Sequence, residues 1–217
     1  MTIYTNSGLT MAMQSAIAAA KTITGITLAA PGVVTATAHG YSNGDFVLVE
    51  CEGMIEINNG VFEVANVATD TFQLVGPDGA TGIDTTNYNA FTSGTAKKLT
   101  LGTSITGVQG FSPSGGDIKK QDSTTVHDLR DKELVVGVTA LSYDLDLQWD
   151  PSNAGQAAMK AAYEAGAQKA FKITWPSGAY AAFYGSVGYS GAPGGEKQGI
   201  TTTKAAVAIA GPLTVAS

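Results

Sequence analysis

The chain has 217 residues, and 44% of them are hydrophobic, which is enough to bury the core of one large domain or of two small ones. Its formal net charge of −6, with only 12 lysines and arginines, excludes the basic stripe with which a protein grips the phosphate backbone of DNA. Uninterrupted apolar runs fall short of the roughly 18 residues that a membrane span needs, so we expect no membrane insertion. Residues 1–6 lack the features of a secretory signal, so we expect that the protein is synthesised and first used in a cytoplasm.

Residue types that carry most catalytic and metal chemistry are scarce. Cys51 is the single cysteine, and its place at the end of an apolar segment predicts a buried thiol. With only two histidines, a zinc site would need carboxylates, which show no suggestive spacing. The glycine-rich runs at 76–82 and 185–195 lack the pattern of a phosphate-binding loop. We therefore predict no enzyme activity, no metal site and no cofactor.

Short β-strands dominate the first half of the chain. Residues 8–15 alternate as a first strand, although residues 12–21 would also satisfy a helix, and we predict the strand. Four further strands are predicted between turn-forming segments rich in Asn, Gly, Asp and Pro, and a loop follows at 79–94. These four strands lie at 33–37, 45–49, 61–65 and 71–75.

A strongly alternating strand at 141–150 opens the second half. Its large apolar side chains, such as Tyr143 and Leu145, take one face, and polar side chains take the other. A helix is predicted at 153–165, with Ser152 or Asn153 as its N-cap and with Met159 and Tyr163 facing inward. A hairpin then follows at about 171–187, with a turn at 176–178, and a last strand is predicted at 200–210.

The segment 112–131 holds few large apolar residues, mixed charge and a Gly-Gly pair, so we predict a long loop there. Two interpretations of this loop are possible. It is either an ordinary solvated loop or a contact between subunits in an assembly, because a loop of this length in a compact domain usually has a function.

Several quoted segments resemble the tail tube protein of long-tailed, non-contractile bacteriophages (siphophages). "LQWDPSNAGQAAMKAAYEAGAQKAFKITWPSGAYAAFYGSV" is similar to that family's strand, helix and hairpin, and "GEKQGITTTKAAVAIAGPL" is similar to its last loop and strand. The resemblance covers roughly residues 98–217. Separately, "TATAHGYSNGD" and "NNGVFEVANVATDTFQL" resemble a small β module that recurs in phage virion proteins.

The resemblance implies a mainly β fold with one short helix, in two domains. Residues 1–21 and 95–217 are expected to form a tail-tube β-sandwich that contributes to a ring-wide inner β-barrel on assembly. Residues 22–94 are expected to form an inserted small all-β domain that projects from the tube. The function implied is that of a structural subunit, which self-assembles into stacked hexameric rings that conduct DNA to the host without binding it tightly.

The same resemblance implies partners, location and sites. Partners are further copies of the chain and the tape-measure, tail-tip and tail terminator proteins, and the location is the virion tail after assembly in the bacterial host cytoplasm. Acidic groups on a lumen would repel DNA. The lumen candidates are Asp144, Asp146 and Gln148. The candidates for contacts between rings are Asp117, Lys119, Lys120, Asp122, His127, Asp128 and Arg130.

Two other classes of function stay open at this point. A binding module would recognise a glycan or receptor through the inserted domain, with Tyr88, Phe91 or the loop 76–86 as the contact. An enzyme would use Asp144 and Asp146 as paired carboxylates, but a solvated strand face carries acids routinely. Mild acidity is also common in proteins simply because it keeps them in solution.

Overall fold

The computed structural model of the chain describes residues 7–217. Apart from one α-helix and one 3-10 turn, the regular structure of these residues is antiparallel β-strand, in two eight-stranded sheets and a separate two-stranded hairpin. The predicted mainly β fold is therefore confirmed. Residues 1–6, on which the prediction about a secretory signal depends, lie outside the described residues.

Sheet I contains the first strand and most of the second half of the chain. Numbered along the chain, its strands are β1 (Thr10–Met13), β10 (Thr103–Ile105), β11 (Val108–Ser114), β14 (Ser142–Gln148), β15 (Gln168–Thr174), β16 (Tyr180–Gly188), β17 (Thr202–Ile209) and β18 (Thr214–Ala216). Their order is β10-β1-β15-β16-β17-β14-β11, and β18 pairs with β16 beside β17. The predicted strand, helix and hairpin order is confirmed.

Core I lies inside this sheet, because the sheet folds over on itself. The inner faces of β14 and β17 contribute Leu145, Leu147 and Val207, which are buried together with Phe171 and Phe183 of the β15–β16 hairpin. The two phenylalanine rings stack with their centroids 5.6 Å apart. Burial of such side chains supplies about 1.5–3 kcal/mol each, so core I accounts for much of the stability of this half.

Helix α1 (Ala154–Glu164) begins at its predicted cap, where Asn153 Oδ1 accepts hydrogen bonds from the amides of residues 155 and 156. Met159 is buried as predicted, but the prediction for Tyr163 is wrong: its side chain is 49% exposed and Ala162 faces inward instead. A close approach explains the rotation of the helix. A Cβ at Gly155 would lie 2.4 Å from the Ser104 carbonyl oxygen, so this turn faces β10 and Tyr163 turns towards solvent.

Sheet II contains the four predicted strands of the first half, together with shorter strands. Its members are β2 (Ala16–Ile17), β3 (Lys21–Ile23), β4 (Gly25–Ile26), β5 (Val34–Thr35), β6 (Phe46–Glu52), β7 (Gly60–Ala65), β8 (Thr71–Leu74) and β9 (Ser93–Thr100). Core II lies within it, around Val47, Val49 and Phe72. Cys51 is buried there as predicted, and burial, followed by the nearby charge of Glu56, raises the pKa of its thiol to about 11.

Sheet II packs directly on sheet I. Ala170, Tyr180 and Ala182, on the outer face of the β15–β16 hairpin, are buried against Leu48 and Val61 of sheet II, which defines core III. Because the strands of sheet II begin at Ala16 and end at Thr100, the sheet extends past residues 22 and 94. The division of the chain into domains at those residues stays a prediction.

A lysine lies between the two sheets. The Lys172 ammonium lies 4.2 Å from the centroid of the Phe46 ring and 4.6 Å from that of Tyr180, one aromatic residue from each sheet. Burial lowers the pKa of Lys172, and the negative charge of Glu63 opposes that change. The cation therefore bridges the sheets by its contacts with two rings.

The predicted loop at 112–131 is wrong, because a hairpin forms there. β12 (Ile118–Asp122) pairs with β13 (Glu133–Val138), and these two strands continue the β11–β14 ladder beyond a kink. Gly115 at the kink has φ +87°, and a Cβ there would lie 2.0 Å from the Ala140 carbonyl oxygen. We call residues 118–138 the distal hairpin. Its first strand lacks a recognisable alternation because both of its faces are exposed.

His39 is buried in core II and uses both ring nitrogens. Its Nδ1 accepts a hydrogen bond from the Tyr41 amide at 3.0 Å, so its Nε2 carries the proton and donates to the Ala68 carbonyl oxygen at 3.0 Å. The ring also contacts Phe72 edge-on, with the centroids 5.1 Å apart. This arrangement joins two loops of sheet II through one neutral imidazole.

Replacement of this histidine tests the value of the two hydrogen bonds. In His39→Phe the ring contacts are kept, but the Tyr41 amide and the Ala68 carbonyl lose their partner, so we expect a loss of about 2–4 kcal/mol in the free energy of unfolding. Denaturant titration at constant m-value measures it. The control His127→Phe changes an exposed histidine and should leave the midpoint nearly unchanged; equal midpoints for both variants would contradict the role of His39.

Glycine at the kink is expected to direct the distal hairpin. In Gly115→Ala the positive φ costs about 1–2 kcal/mol, and the new Cβ must displace the chain at Ala140. We expect faster amide exchange throughout 118–138, with unchanged exchange in core I. In the control Gly137→Ala, an added Cβ has no atom within 4 Å, so exchange should stay as in the parent chain. Equal exchange in the two variants would show that the kink does not depend on glycine.

Candidate functional site

The first candidate surface is the polar face of β14. Tyr143, Leu145 and Leu147 point into core I, and Asp144, Asp146 and Gln148 are exposed on the opposite face. The structure thus brings the three predicted lumen candidates together on one face of one strand. Which compartment of an assembled tube they face stays a prediction.

Three of the four residues that flank the two carboxylates on the neighbouring strands are small. Asp144 lies between Ser112 of β11 and Ala206 of β17 in the sheet register, and Asp146 lies between Gly110 and Lys204. Together they line a shallow groove of about 450 Å³. The acids are therefore flanked by short side chains on three sides and by the long, exposed side chain of Lys204 beside Asp146.

Lys204 belongs to this surface although the sequence did not single it out. Its Nζ lies 3.4 Å from Asp146 Oδ1, and both side chains are largely exposed, so the ion pair contributes little to stability. The register of β14 with β17 decides this contact, which no local pattern of the sequence encodes. Among the described residues Asp144 forms no ion pair.

The second candidate surface is the distal hairpin, which contains the predicted inter-ring residues. Nearly every residue of β12 and β13 is exposed, including large apolar ones. Ile118 and Val138 lie directly opposite each other and are 54% and 61% exposed. Such a row of apolar side chains on a free two-stranded ribbon is unusual for a surface that stays in water.

Hydrogen bonds within the hairpin occupy some of its charged residues. Lys120 Nζ lies 2.6 Å from Glu133 Oε2, and Asp128 pairs with Lys132. Asp122 Oδ1 accepts from the Thr124 amide, and hydrogen bonding by Thr124 lowers the pKa of Asp122. These contacts give the tip a defined shape.

The remaining candidates are placed differently. Asp117 lies at the base of the hairpin, where its amide donates to Thr139 Oγ1 at 2.9 Å. Lys119, His127 and Arg130 are exposed, and the described part of the chain gives none of these three an ion pair. Their charged or polar ends are therefore available to another molecule.

Sequence reasoning missed the apolar residues of β13. Leu134, Val135 and Val136 are each more than half exposed and lie just beyond the segment that was predicted as a loop. The signal was present in the run Glu-Leu-Val-Val-Gly-Val, which is rich in strand-forming residues. Its exposure could not have been read from that run, because such residues are more often buried.

Aromatic residues proposed for a binding module are not free platforms. Tyr88 and Phe91 pack against core II and are partly buried. Both rings therefore contribute to the packing of core II.

Two negative findings concern metal sites and membrane-spanning helices in residues 7–217. No group of three or more His, Cys, Asp and Glu residues in this part of the chain has the arrangement of a metal site. Helix α1 is 11 residues long. No helix within residues 7–217 is long and apolar enough to span a membrane.

Comparison with known proteins adds a family to this geometry. A family model described as "Phage tail tube protein, TTP" matches residues 52–217, which include all of sheet I after β1, the distal hairpin and three strands of sheet II, β7 to β9. A search among curated proteins found no match to the chain. The matched region spans most of the chain and both candidate surfaces, and the chain belongs to the phage tail tube protein family.

Proposed function

We propose that the chain forms closed, hexameric rings that stack into a tube and conduct DNA from the virion to the host. The family supports a structural subunit of a bacteriophage tail tube, which assembles with copies of itself and other tail proteins. The observation that carries the finer proposal is the distal hairpin, whose apolar side chains are exposed in the single chain. Siphophage tails are the class of tail that the sequence resemblance favours.

An isolated two-stranded ribbon is marginally stable in water, so the distal hairpin needs a partner surface. Each Val, Leu or Ile that becomes buried contributes about 1.5–3 kcal/mol. Burial of only a few such residues against the next ring would therefore hold neighbouring rings together. The candidates for that contact are the seven charged or polar residues already placed, joined by Ile118, Leu134, Val135, Val136 and Val138.

The free edges of sheet I favour the closure of subunits into a ring. β10 and β11 are its terminal strands, and each leaves one side without a partner strand among the described residues. Joining the β11 edge of one subunit to its neighbour's sheet would pair these backbone groups and extend the sheet around the ring. An inner barrel made from sheets of successive subunits follows from that closure.

The order of layers supports the direction of the lumen. Core I lies between the polar face of β14 and the β15–β16 hairpin, and sheet II packs on the far side of that hairpin. If Asp144, Asp146 and Gln148 face the lumen, sheet II lies on the outside of the tube. The inserted module at 22–94 then projects outward, where it obstructs neither the channel nor the stacking.

Assembly is proposed to take place in the host cytoplasm, with tape-measure, tail-tip and tail terminator proteins as partners. DNA would pass without tight binding, because acidic side chains repel its phosphates within a Debye length of about 8 Å at physiological salt.

Electron microscopy of the purified chain tests ring formation. We expect rings or hollow tubes of uniform width at high protein concentration. The double variant Ile118→Thr/Val138→Thr keeps strand-forming residues but removes apolar area, so it should need several-fold more protein to form tubes. The control Leu28→Thr changes an exposed apolar residue in the loop between β4 and β5 and should assemble as the parent does. A parent chain that stays monomeric even beside the other tail proteins would refute the proposal.

Charge reversal tests the lumen assignment. Asp144→Lys/Asp146→Lys places two cations where DNA is expected to slide, so we expect tubes of normal shape that retain DNA and a fall in phage infectivity of tenfold or more. Glu164→Lys/Glu196→Lys introduces the same change in net charge at exposed sites outside β14 and its partner strands β11 and β17. Normal infectivity of the first variant, with normal tubes, would show that the β14 face does not line the channel.

A further inference from the structure

A cavity of about 290 Å³ lies where the loops of sheet II meet the C-terminal segment of the chain. Phe62 and Ile83 of sheet II form apolar walls, Tyr88 lies at one side, and Leu213 and Thr214 close it from the C-terminal segment. Its volume is at the low end for ligand sites in proteins, so it suits a single side chain or a ligand of a few atoms. Neither the family nor either candidate surface accounts for it.

Two enclosed polar atoms in the cavity wall lack partners. Glu56 Oε1 accepts hydrogen bonds from the Asn89 amide at 3.1 Å and from Asn89 Nδ2 at 2.8 Å. The other oxygen, Oε2, is shielded from solvent and has no hydrogen-bond partner among the described residues. The same holds for Thr214 Oγ1, whose residue is only 7% exposed. Enclosed groups without partners are costly, so a donor from outside is expected there.

The cavity also carries negative charge without a counterion. Asp84 lines it beside Glu56, and in residues 7–217 neither carboxylate forms an ion pair. Hydrogen bonding by Thr86 lowers the pKa of Asp84, which keeps this carboxylate ionised. A guanidinium group would supply several donors to carboxylate and hydroxyl oxygens at once, and apolar walls suit the stem of a long basic side chain.

The chain itself contains one guanidinium group, and in residues 7–217 this group forms no ion pair. Arg130 is its single arginine, and it lies exposed at the tip of the distal hairpin. Asp128 and Lys132 pair with each other across that tip, so they do not hold Arg130. The neighbouring Leu129 is 102% exposed, which gives the tip an apolar contact beside its cation.

We propose that this cavity is the receptor for Arg130 of a second copy of the chain. The guanidinium pairs with Glu56 and Asp84, Thr214 accepts one further hydrogen bond, and Leu129 packs at the apolar rim. From the kink to the tip the hairpin extends roughly 30 Å at about 3.3 Å per residue, enough to reach beyond its own subunit. This inference rests on the proposed function, because it needs copies of the chain side by side, and it names the partner surface of the hairpin.

Titration of the purified full-length chain with n-butylguanidinium tests the cavity without requiring assembly. We expect binding to the parent chain, and binding at least tenfold weaker to Glu56→Gln, in which Oε1 can still accept from Asn89. The control Glu164→Gln removes the same charge on α1 and should bind as the parent does. Binding that is absent from the parent, or equal in Glu56→Gln, would overturn the cavity as a guanidinium site.

Assembly of the same variants tests the source of the guanidinium. Arg130→Gln and Glu56→Gln should each raise the protein concentration needed for tubes about tenfold, and the double variant should be no worse than either single variant because both remove one contact. Lys160→Gln is the one-charge control and should assemble as the parent does. Additive effects, or tubes from Arg130→Gln at the parent's concentration, would overturn the pairing even if the cavity binds n-butylguanidinium. Absence of tubes from the parent, even beside the other tail proteins, would instead refute the proposed function, and with it Arg130 as the source. The titration would still decide whether the cavity binds a guanidinium.

Discussion

Burial of both faces of the β15–β16 hairpin is the constraint on which the rest of the molecule depends. One face sends Phe171, Ile173 and Phe183 into core I, and the other sends Ala170, Tyr180 and Ala182 against sheet II. The two faces are not equivalent in size, since the second carries two alanines. Small side chains allow sheet II to approach closely, while the large rings fill the wider space within sheet I.

This central layer separates the polar face of β14 from sheet II. The polar face of β14 lies on one side of core I, and sheet II occupies the other side of the hairpin. Sheet II is held on the hairpin by its apolar contacts and by the Lys172 ammonium between two rings, so it cannot lie on the β14 face. The fold therefore leaves Asp144 and Asp146 exposed on a face that sheet II does not cover.

The distal hairpin is ordered by its own contacts and yet incompletely buried. Ladder hydrogen bonds, the Lys120–Glu133 ion pair and the side-chain bonds of the tip define its shape. Its apolar side chains gain nothing from this order, because no described element covers them. A preformed shape lowers the entropy that association must overcome, and the uncovered apolar area supplies the driving force. The cavity beside Glu56 complements the cation at the tip of this hairpin, because it contains enclosed acceptor oxygens that have no donor among the described residues.

The sequence by itself determined the elements whose patterns are local. The alternation at 141–150, the Asn153 cap and the turns of sheet II are each set by a few neighbouring residues, so they were predictable. Tyr163 was misplaced because helix spacing gives relative positions on a face, whereas the close contact of Gly155 with Ser104 sets which face turns inward. The hairpin at 118–138 was missed because exposure on both faces leaves no alternation to read.

Only the tertiary structure decided that sheet II packs on the β15–β16 hairpin, that Lys204 lies beside Asp146, and that Glu56 and Thr214 meet in one cavity. These contacts join residues far apart in the chain, and strand register and sheet packing, which no local pattern encodes, bring them together.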